Sequence, residues 1–435
     1  MTVIFRFIEP ATPLRPRAVL CVVIALVFLW LTASSAVADA PKQIPVALAT
    51  LPPEDPQLLG AATAATDATT DANRNAVKPL SMLGRVVAPH TTELLYWTPD
   101  VSFDGAAISR GVVVANGARP GPTMCLTAVV HGDEHNGLEI VRRVLYQIDP
   151  AQLNGVVVGV PIVNLDGFRR GMRYLPDRRD LNRYFPGRKQ GSAASRLAYS
   201  LFDQVLRTCD YLVDIHTGSF HRTNLPQLRG DLTNLDVLEL SRRFGSTTIL
   251  HNRGAVGTLR RAATDAGIPA ITLETGEPMR IQDREVRQGV TAIQTAMTAL
   301  KMYPRTTLSS KTASVYFESR WVRVNEGGVL ISGVQLGDVV EQGARLGTVT
   351  DPVTNKATAV TAPYAGRVLG MALNQVVLPG YAAFHIGIPS TMAEAEAADE
   401  LNISLKAPTD KSGPIDGSLA DEVRDRDLIE HETSE

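Results

Sequence analysis

Between about Leu83 and Tyr303, short apolar runs alternate with stretches whose apolar residues recur at helical spacing. Val112–Ala115, Thr123–Val130, Val156–Val163, Tyr211–Ile215, Thr247–Leu250 and Ala270–Leu273 are nearly continuous apolar runs, the pattern of buried strands. Asn136–Ile148, Ser192–Thr208, Leu232–Phe244, Val256–Ala266 and Ile281–Met302 predict helices; in the first, Leu138, Val141, Leu145 and Ile148 share one face. Alternating strands and helices predict an α/β fold, an open sheet covered by helices on both faces. Ligands of such sheets bind at the carboxyl ends of the strands.

From Thr312 to Pro389 the pattern changes. Val-Tyr-Phe, Trp-Val-Arg-Val, Gly-Val-Leu-Ile, Gly-Thr-Val-Thr and Gly-Arg-Val-Leu are short β-type runs, separated by Gly-Gly, Leu-Gly-Asp, Asp-Pro and Leu-Pro-Gly turns. They predict a second, all-β module. Its stretch Thr361-Ala-Pro-Tyr-Ala-Gly-Arg-Val368 resembles the sandwich of biotinyl and lipoyl carriers. Met371-Ala-Leu-Asn374 stands near the carrier turn with no lysine to modify, so a carrier role is not expected.

The two ends differ again. Arg6, Arg15 and Arg17 precede the uncharged run Ala18–Leu31 and the small-residue site Ala36-Val37-Ala38, the order of a secretory signal cleaved after Ala38. Left uncleaved, the run from Ala18 to Ala38 would just span a bilayer and serve as a membrane anchor. Either way the rest of the chain is expected outside the cytoplasm, in the periplasm or an equivalent compartment. An Ala-, Thr-, Pro- and Asp-rich spacer follows, and Thr391–Glu435, with 13 acidic and 4 basic side chains, reads as a solvated acidic tail with at most a short helix at Ala393–Leu401. The expected division is a signal peptide at 1–38, a flexible linker at 39–80, a catalytic domain at 81–305, a β domain at 306–390 and a disordered tail at 391–435.

With 44% hydrophobic and 20% charged residues, the chain is neither disordered throughout nor a multi-span membrane protein. Its net charge of −2 conceals the acidic tail and a positive excess elsewhere. Three cysteines exclude a disulfide scaffold and a four-cysteine zinc site. Cys21 falls in the signal, and Cys125 and Cys209 are expected as two buried free thiols.

Candidate chemistry collects at predicted strand ends. His131-Gly-Asp-Glu134 follows the Thr123–Val130 run, and His216 ends the Tyr211–Ile215 run. Two histidines and one glutamate are the usual protein ligands of a hydrolytic zinc that keeps a position for water. Taken singly, each is as well explained as a surface or hydrogen-bonded residue; their shared placement makes them a metal site. A third strand end carries Glu274-Thr-Gly-Glu277, where a carboxylate can act as general base on metal-activated water and then as acid toward a leaving amine. Asp133, His135 and Glu277 sit beside these residues and are not expected as ligands. Asn164–Lys189 holds eight basic and three acidic residues, and arginines in that density beside a zinc site imply an anionic substrate. No basic stripe interleaved with aromatics extends beyond it, which argues against nucleic acid. The segment Thr217–Pro226 is read either as a pocket-shaping loop, with Arg222 as a contact, or as a structural turn.

His131-Gly-Asp-Glu-His-Asn-Gly137, Arg173-Tyr with Asp180-Leu-Asn-Arg183, Asp214-Ile-His-Thr-Gly218 and Leu273-Glu-Thr-Gly-Glu-Pro278, in that order, resemble the succinylglutamate desuccinylase/aspartoacylase branch of zinc carboxypeptidase-like enzymes. The resemblance runs from about Val112 to Met302 and extends to a C-terminal β domain. It implies a zinc carboxypeptidase-like mixed sheet with helices on both faces, plus a barrel-sandwich-like β domain. It also implies one zinc ion per chain on His131, Glu134 and His216, with Glu274 as the catalytic glutamate. Arg173 would polarise the scissile carbonyl, with Arg170 as the alternative because the spacing to Asn182 is slightly long. Asn182 and Arg183 would hold the substrate's carboxylate, and Asp180 would hydrogen-bond a ligand histidine. The family's aspartoacylases also draw a tyrosine from the C-terminal domain, which matches none of Tyr316, Tyr364 and Tyr381 unambiguously.

The expected function is an exported zinc amidohydrolase acting on a small anionic N-acyl amino acid. The alternatives are an extracytoplasmic zinc carboxypeptidase or amidase acting on murein peptides, and a non-catalytic ligand-binding protein. Oligomeric state is left open.

Overall fold

The computed structural model describes residues 77–99, 108–304 and 313–391, together with residue 393. The signal segment, most of the linker and nearly all of the acidic tail lie outside the described residues. Among the described residues, no helix is long and apolar enough to cross a membrane.

One sheet of 13 strands organises the structure. Its centre is parallel: Arg119–Ala128 lies between Asn154–Val160 and Tyr211–His216, and Ala270–Gly276 follows on the far side of Tyr211–His216. Arg110–Asn116 and then Thr91–Trp97 extend one edge in antiparallel fashion. The sheet is therefore mixed, as the α/β reading expects. Asn136–Gln147 and Asp283–Ala299 cover one face, burying Ile140, Val141, Val144, Leu145, Val286 and Ile293. Ala193–Gln204 and Leu259–Asp265 cover the other, where Leu197, Leu201, Phe202 and Leu259 join a separate core. Two helix starts carry side-chain caps: Ser192 Oγ accepts from Ser195 N ahead of Ala193–Gln204, and Asn234 Oδ1 accepts from Asp236 N and Val237 N ahead of Leu235–Arg242.

Two local features fix the strand end that carries the first motif. Val129 adopts φ 54°, a left-handed conformation costly for a β-branched residue, immediately before the turn to His131. Val163 N donates to Ala128 O and Asn164 N to Val129 O, so the neighbouring segment holds that turn in place. Gly137 lets the next helix press onto the sheet, since a Cβ there would lie 2.8 Å from Ala128 Cβ and 3.0 Å from Ile215 O.

Arg222–Gly230 is a strand that the apolar pattern does not reveal. It carries Arg222, Asn224, Gln227 and Arg229, and it contains Pro226. Pro226 is tolerated because it falls where the ladder to Ala270–Gly276 shifts register. It also lies between the end of pairing with Gly366–Ala372 and the start of pairing with Thr248–His251.

The β-rich segment continues the same sheet. Gly366–Ala372 pairs with Arg222–Gly230, Ala382–Ile388 with Gly366–Ala372, and Glu318–Arg323 with Ala382–Ile388. A four-stranded sheet of Ala357–Thr361, Arg345–Thr350, Gly328–Ser332 and Gln375–Val377 closes over it, burying Leu330, Leu346, Val368, Phe384 and Ile386.

Cys125 and Cys209 form a disulfide, with Cα atoms 5.7 Å apart, which corrects the expectation of free thiols. Cys125 lies opposite Leu212 in the parallel pair, and Asp210 N donates to Thr123 O, so the turn before Tyr211 brings Cys209 alongside Cys125. Sequence separation of 84 residues hides a proximity that the sheet creates.

Candidate active site

His131, Glu134 and His216 converge at the carboxyl ends of two adjacent parallel strands, where their ligand atoms all lie within 4.8 Å of one another. Nδ1 of His131 is 2.8 Å from one oxygen of Glu134, and Nδ1 of His216 is 2.8 Å from the other. The two Nδ1 atoms are 3.2 Å apart. Each ring is held from behind by a carboxylate: His131 Nε2 faces Asp180 Oδ1 at 3.2 Å, and His216 Nε2 faces Asp214 Oδ2 at 2.7 Å. A carboxylate at Nε2 draws the ring proton there and leaves the Nδ1 lone pair for a cation. Two imidazole nitrogens and a carboxylate this close need a proton or a cation among them, a need that Arg173 Nη1, 3.2 Å from His131 Nδ1, meets only from one side. The residues present therefore fit a metal ion.

The electrostatics agree. Burial disfavours charge on His216, but Asp214 and Glu134 outweigh it and hold the ring well above the usual imidazole range. Burial likewise pushes Glu134 up, but the two imidazoles outweigh it and hold the carboxyl well below the usual range. Thr217 N and Ser219 Oγ donate to Glu134 at 3.1 and 3.0 Å and fix its orientation.

Arg173 is buried beside this centre. Its Nε and Nη2 donate to Asp180 Oδ2 at 3.1 and 2.7 Å, and its Nη1 donates to Ser219 Oγ at 2.6 Å. Asp180 thus orients both His131 and Arg173. The Phe220 ring lies over the guanidinium, 5.2 Å from ring centre to Cζ. Arg170, the alternative, is turned away: its Nε donates to Asp166 O on an exposed helix.

Glu274 is 8% exposed and faces the same cleft from the next strand, opposite His216 in register. Asn224 Nδ2 donates to its Oε2 at 2.9 Å, and Arg229 Nη1 lies 3.5 Å from its Oε1. Asn182 and Arg183 line the cleft as well. Asn182 Oδ1 accepts from Leu259 N at 2.8 Å, and Arg183 Nη1 donates to Asn182 O at 2.9 Å. The cleft, about 860 Å³ with its open mouth, is lined by five arginines (173, 183, 222, 229 and 260) against two carboxylates, Glu134 and Glu274. Asp133, His135 and Glu277 stay outside the ligand group: Glu277 pairs with Arg280, and His135 Nε2 faces Gly132 O.

Residues 120–300 match the model for the succinylglutamate desuccinylase/aspartoacylase catalytic domain. That segment, which holds His131, Glu134, His216 and Glu274, is similar to this catalytic domain. Over 120 residues the chain is 32% identical to the N-alpha-acetyl-L-2,4-diaminobutyric acid deacetylase of Halomonas elongata. That match spans 27% of this chain and 34% of the relative's length. The crystal structure of a succinylglutamate desuccinylase/aspartoacylase from Rhodobacter sphaeroides superposes with a TM-score of 0.61 at 22% identity, covering 68% of this chain and 95% of that one. The product-bound structure of the ectoine utilization protein EutE (DoeB) from Ruegeria pomeroyi gives a TM-score of 0.62 at 21% identity, covering 72% and 99%. At these identities the two structures show a shared fold.

Four further residues of the site are not assigned by the sequence motifs. Asp214 stands two positions before His216, on the same face of the strand, and period-two alternation alone would have found it. Asn224 and Arg229 lie on the polar strand that reads as a loop. Trp321 is the aromatic side chain that the β-rich segment delivers to the cleft. Tyr381 instead stacks on Arg222 and donates from its hydroxyl to Phe220 O, holding the Thr217–Arg222 turn from outside.

Proposed function

We propose that this chain is an exported zinc amidohydrolase that cleaves the amide bond of an N-acyl amino acid bearing a carboxylate. The observation that carries the reading is the convergence of His131, Glu134 and His216 beside Glu274, at the end of a cleft lined by arginines. The match of residues 120–300 to the desuccinylase/aspartoacylase catalytic domain and the similarity to the deacetylase support the reaction class. The Cys125–Cys209 disulfide supports an oxidising compartment, in line with the signal-like N-terminus.

A zinc ion held by His131, Glu134 and His216 would supply Lewis acidity toward the amide carbonyl and activation of water. Glu274 takes a proton from the attacking water as its oxygen bonds to the carbonyl carbon. It then delivers that proton to the amide nitrogen as the C–N bond breaks, releasing a carboxylic acid and an amine. Asn224 and Arg229 aim the Glu274 carboxylate. Arg173, pinned by Asp180 and Ser219, keeps its charge beside the ligand cluster and stabilises the developing oxyanion. Arg183 and Asn182 hold the substrate's carboxylate.

Glu274→Gln keeps the shape of this side chain and removes its basicity. Turnover is expected to fall by about 10²–10⁴ while the zinc content measured by mass spectrometry stays unchanged. A Gln variant with full turnover would remove Glu274 from the mechanism. Murein peptides are the second substrate reading, favoured by the same signal segment and disulfide, and assays on purified muropeptides beside N-acyl amino acids separate the two.

A further inference from the structure

Glu274 adjoins a buried polar patch that packing does not explain. In the antiparallel pair of Ala270–Gly276 with Arg222–Gly230, Leu273 lies opposite Leu228 in the hydrophobic core, while Thr272 lies opposite Arg229 and Glu274 opposite Gln227. Directly opposed residues share a face of the sheet. Thr272, Glu274 and Arg229 line the cleft, so Gln227 stands beside Glu274 on the cleft side. The register shift between Glu274 and Gly276 turns Asn224 to that side as well, where it donates to Glu274.

Gln227 is 0% exposed, and neither its Nε2 nor its Oε1 has a hydrogen-bond partner among the described residues. Three neighbours share that condition: Asn224 Oδ1, Arg229 Nε and His385 Nδ1 are buried and unpartnered. Gly370 joins His385 to the group. It lies opposite both Asn224 and His385, and a Cβ there would sit 2.6 Å from Asn224 Oδ1 and 3.4 Å from His385 Cβ. His385 also lines a cavity beyond Trp321 with Arg229, Arg320 and Arg323.

The unpartnered atoms are complementary. Asn224 Oδ1 and Gln227 Oε1 accept, and Gln227 Nε2 and Arg229 Nε donate. Burial, Arg229 and Arg222 keep the His385 ring neutral, so its Nδ1 serves as either. A buried amide left unpaired is costly, and an apolar residue at position 227 would spare the fold that cost. A polar residue that breaks this local rule beside a reacting group points to function. The two groups that hold Glu274, Asn224 through Nδ2 and Arg229 through Nη1, are also the ones whose other polar atoms wait for partners.

We propose that Gln227 is a positioning residue for Glu274: through buried water it gives Arg229 Nε an acceptor and Asn224 Oδ1 a donor, and so keeps the Asn224 amide nitrogen turned to the carboxylate. His385 closes the network on the far side of Asn224. Turned over, Asn224 would set an oxygen against the Glu274 carboxylate instead. This rests on the amidohydrolase reading, in which Glu274 moves the proton.

Gln227→Met keeps the length of the side chain and removes both polar ends. Its kcat is expected to fall about tenfold. KM and zinc content should stay unchanged, because Glu274 stands between Gln227 and the metal ligand His216 in the sheet. Gln227→Leu, a second apolar replacement, should behave alike. In a Glu274→Gln background either change should slow the residual turnover by no more than about twofold, since its effect passes through the carboxylate. Equal slowing in both backgrounds, full kcat in both variants, or a loss of turnover that follows loss of zinc overturns the assignment. If the zinc-loaded wild type hydrolyses no acyl amino acid, or Glu274→Gln turns over fully, the amidohydrolase reading fails on its own. Crystal structures of the wild type and Gln227→Met then decide the positioning role: a Glu274 carboxylate rotated off Asn224 Nδ2 in the variant supports it, and an unmoved carboxylate overturns it.

Discussion

His216 and His385 are both buried on strands of one sheet, and their surroundings drive them in opposite directions. His216 stands between Asp214 and Glu134, which outweigh burial and favour positive charge on its ring. His385 stands near Arg229 and Arg222, which add to burial and keep its ring neutral. Depth alone therefore does not decide what a buried histidine does; the sign of its neighbours does. One end of the cleft gathers carboxylates around its histidine and the other gathers arginines.

The sharpest break in this comparison is to remove each histidine in turn. His216→Ala should abolish both metal retention and turnover, while His385→Gln should keep the metal. Zinc content and activity of the two purified variants check this, and a His216→Ala protein that still holds zinc would contradict the assigned site. Next in size, Cys125→Ala with Cys209→Ala should cost about 2–5 kcal/mol in chemical denaturation, because the disulfide ties together the two strands that bring the ligands into place. A subtler change is Asp214→Asn, which leaves the ligand set intact but weakens the support behind His216 Nε2. Metal affinity in a competition titration should fall about 10–100-fold.

The smallest effect is a slope with pH. The folded pKa of His385 is about 3, below its unfolded value of about 6.5, so between these values the unfolded chain binds a proton that the folded chain does not. Its contribution to stability is thus complete above about pH 6.5 and is lost as the pH falls toward 3, at no more than about 1.4 kcal/mol per pH unit. Denaturation of the zinc-loaded protein across that window should show a shallower slope for His385→Gln than for the wild type. Identical slopes would mean that His385 takes up its proton in the folded state.

The metal-ligand end of the cleft was legible in the sequence because its residues obey local rules. Apolar strands run into His131, His216 and Glu274, and a ligand strand end needs only a run of Val, Leu and Ile followed by a polar residue. Asp180 and the basic loop were legible as motif and composition. The arginine-lined end was not. Arg222–Gly230 is a central strand whose buried residues are polar because they line the cleft, so the apolar period that marks other strands is absent. Arg229, Trp321, Arg323 and His385 come from three strands far apart in sequence and meet only through the fold, where antiparallel register sets Trp321 opposite His385. The disulfide was hidden in the same way, since its two cysteines meet through strand pairing.

The central claim is that one zinc ion on His131, Glu134 and His216 drives amide hydrolysis assisted by Glu274. The direct measurement is hydrolysis of N-acyl amino acids and muropeptides by the purified chain, before and after chelation and after zinc is restored. The account predicts about one zinc per chain, loss of turnover on chelation and its recovery with zinc. Undiminished turnover by fully metal-free protein, or no turnover of any of these substrates by the zinc-loaded protein, would contradict it.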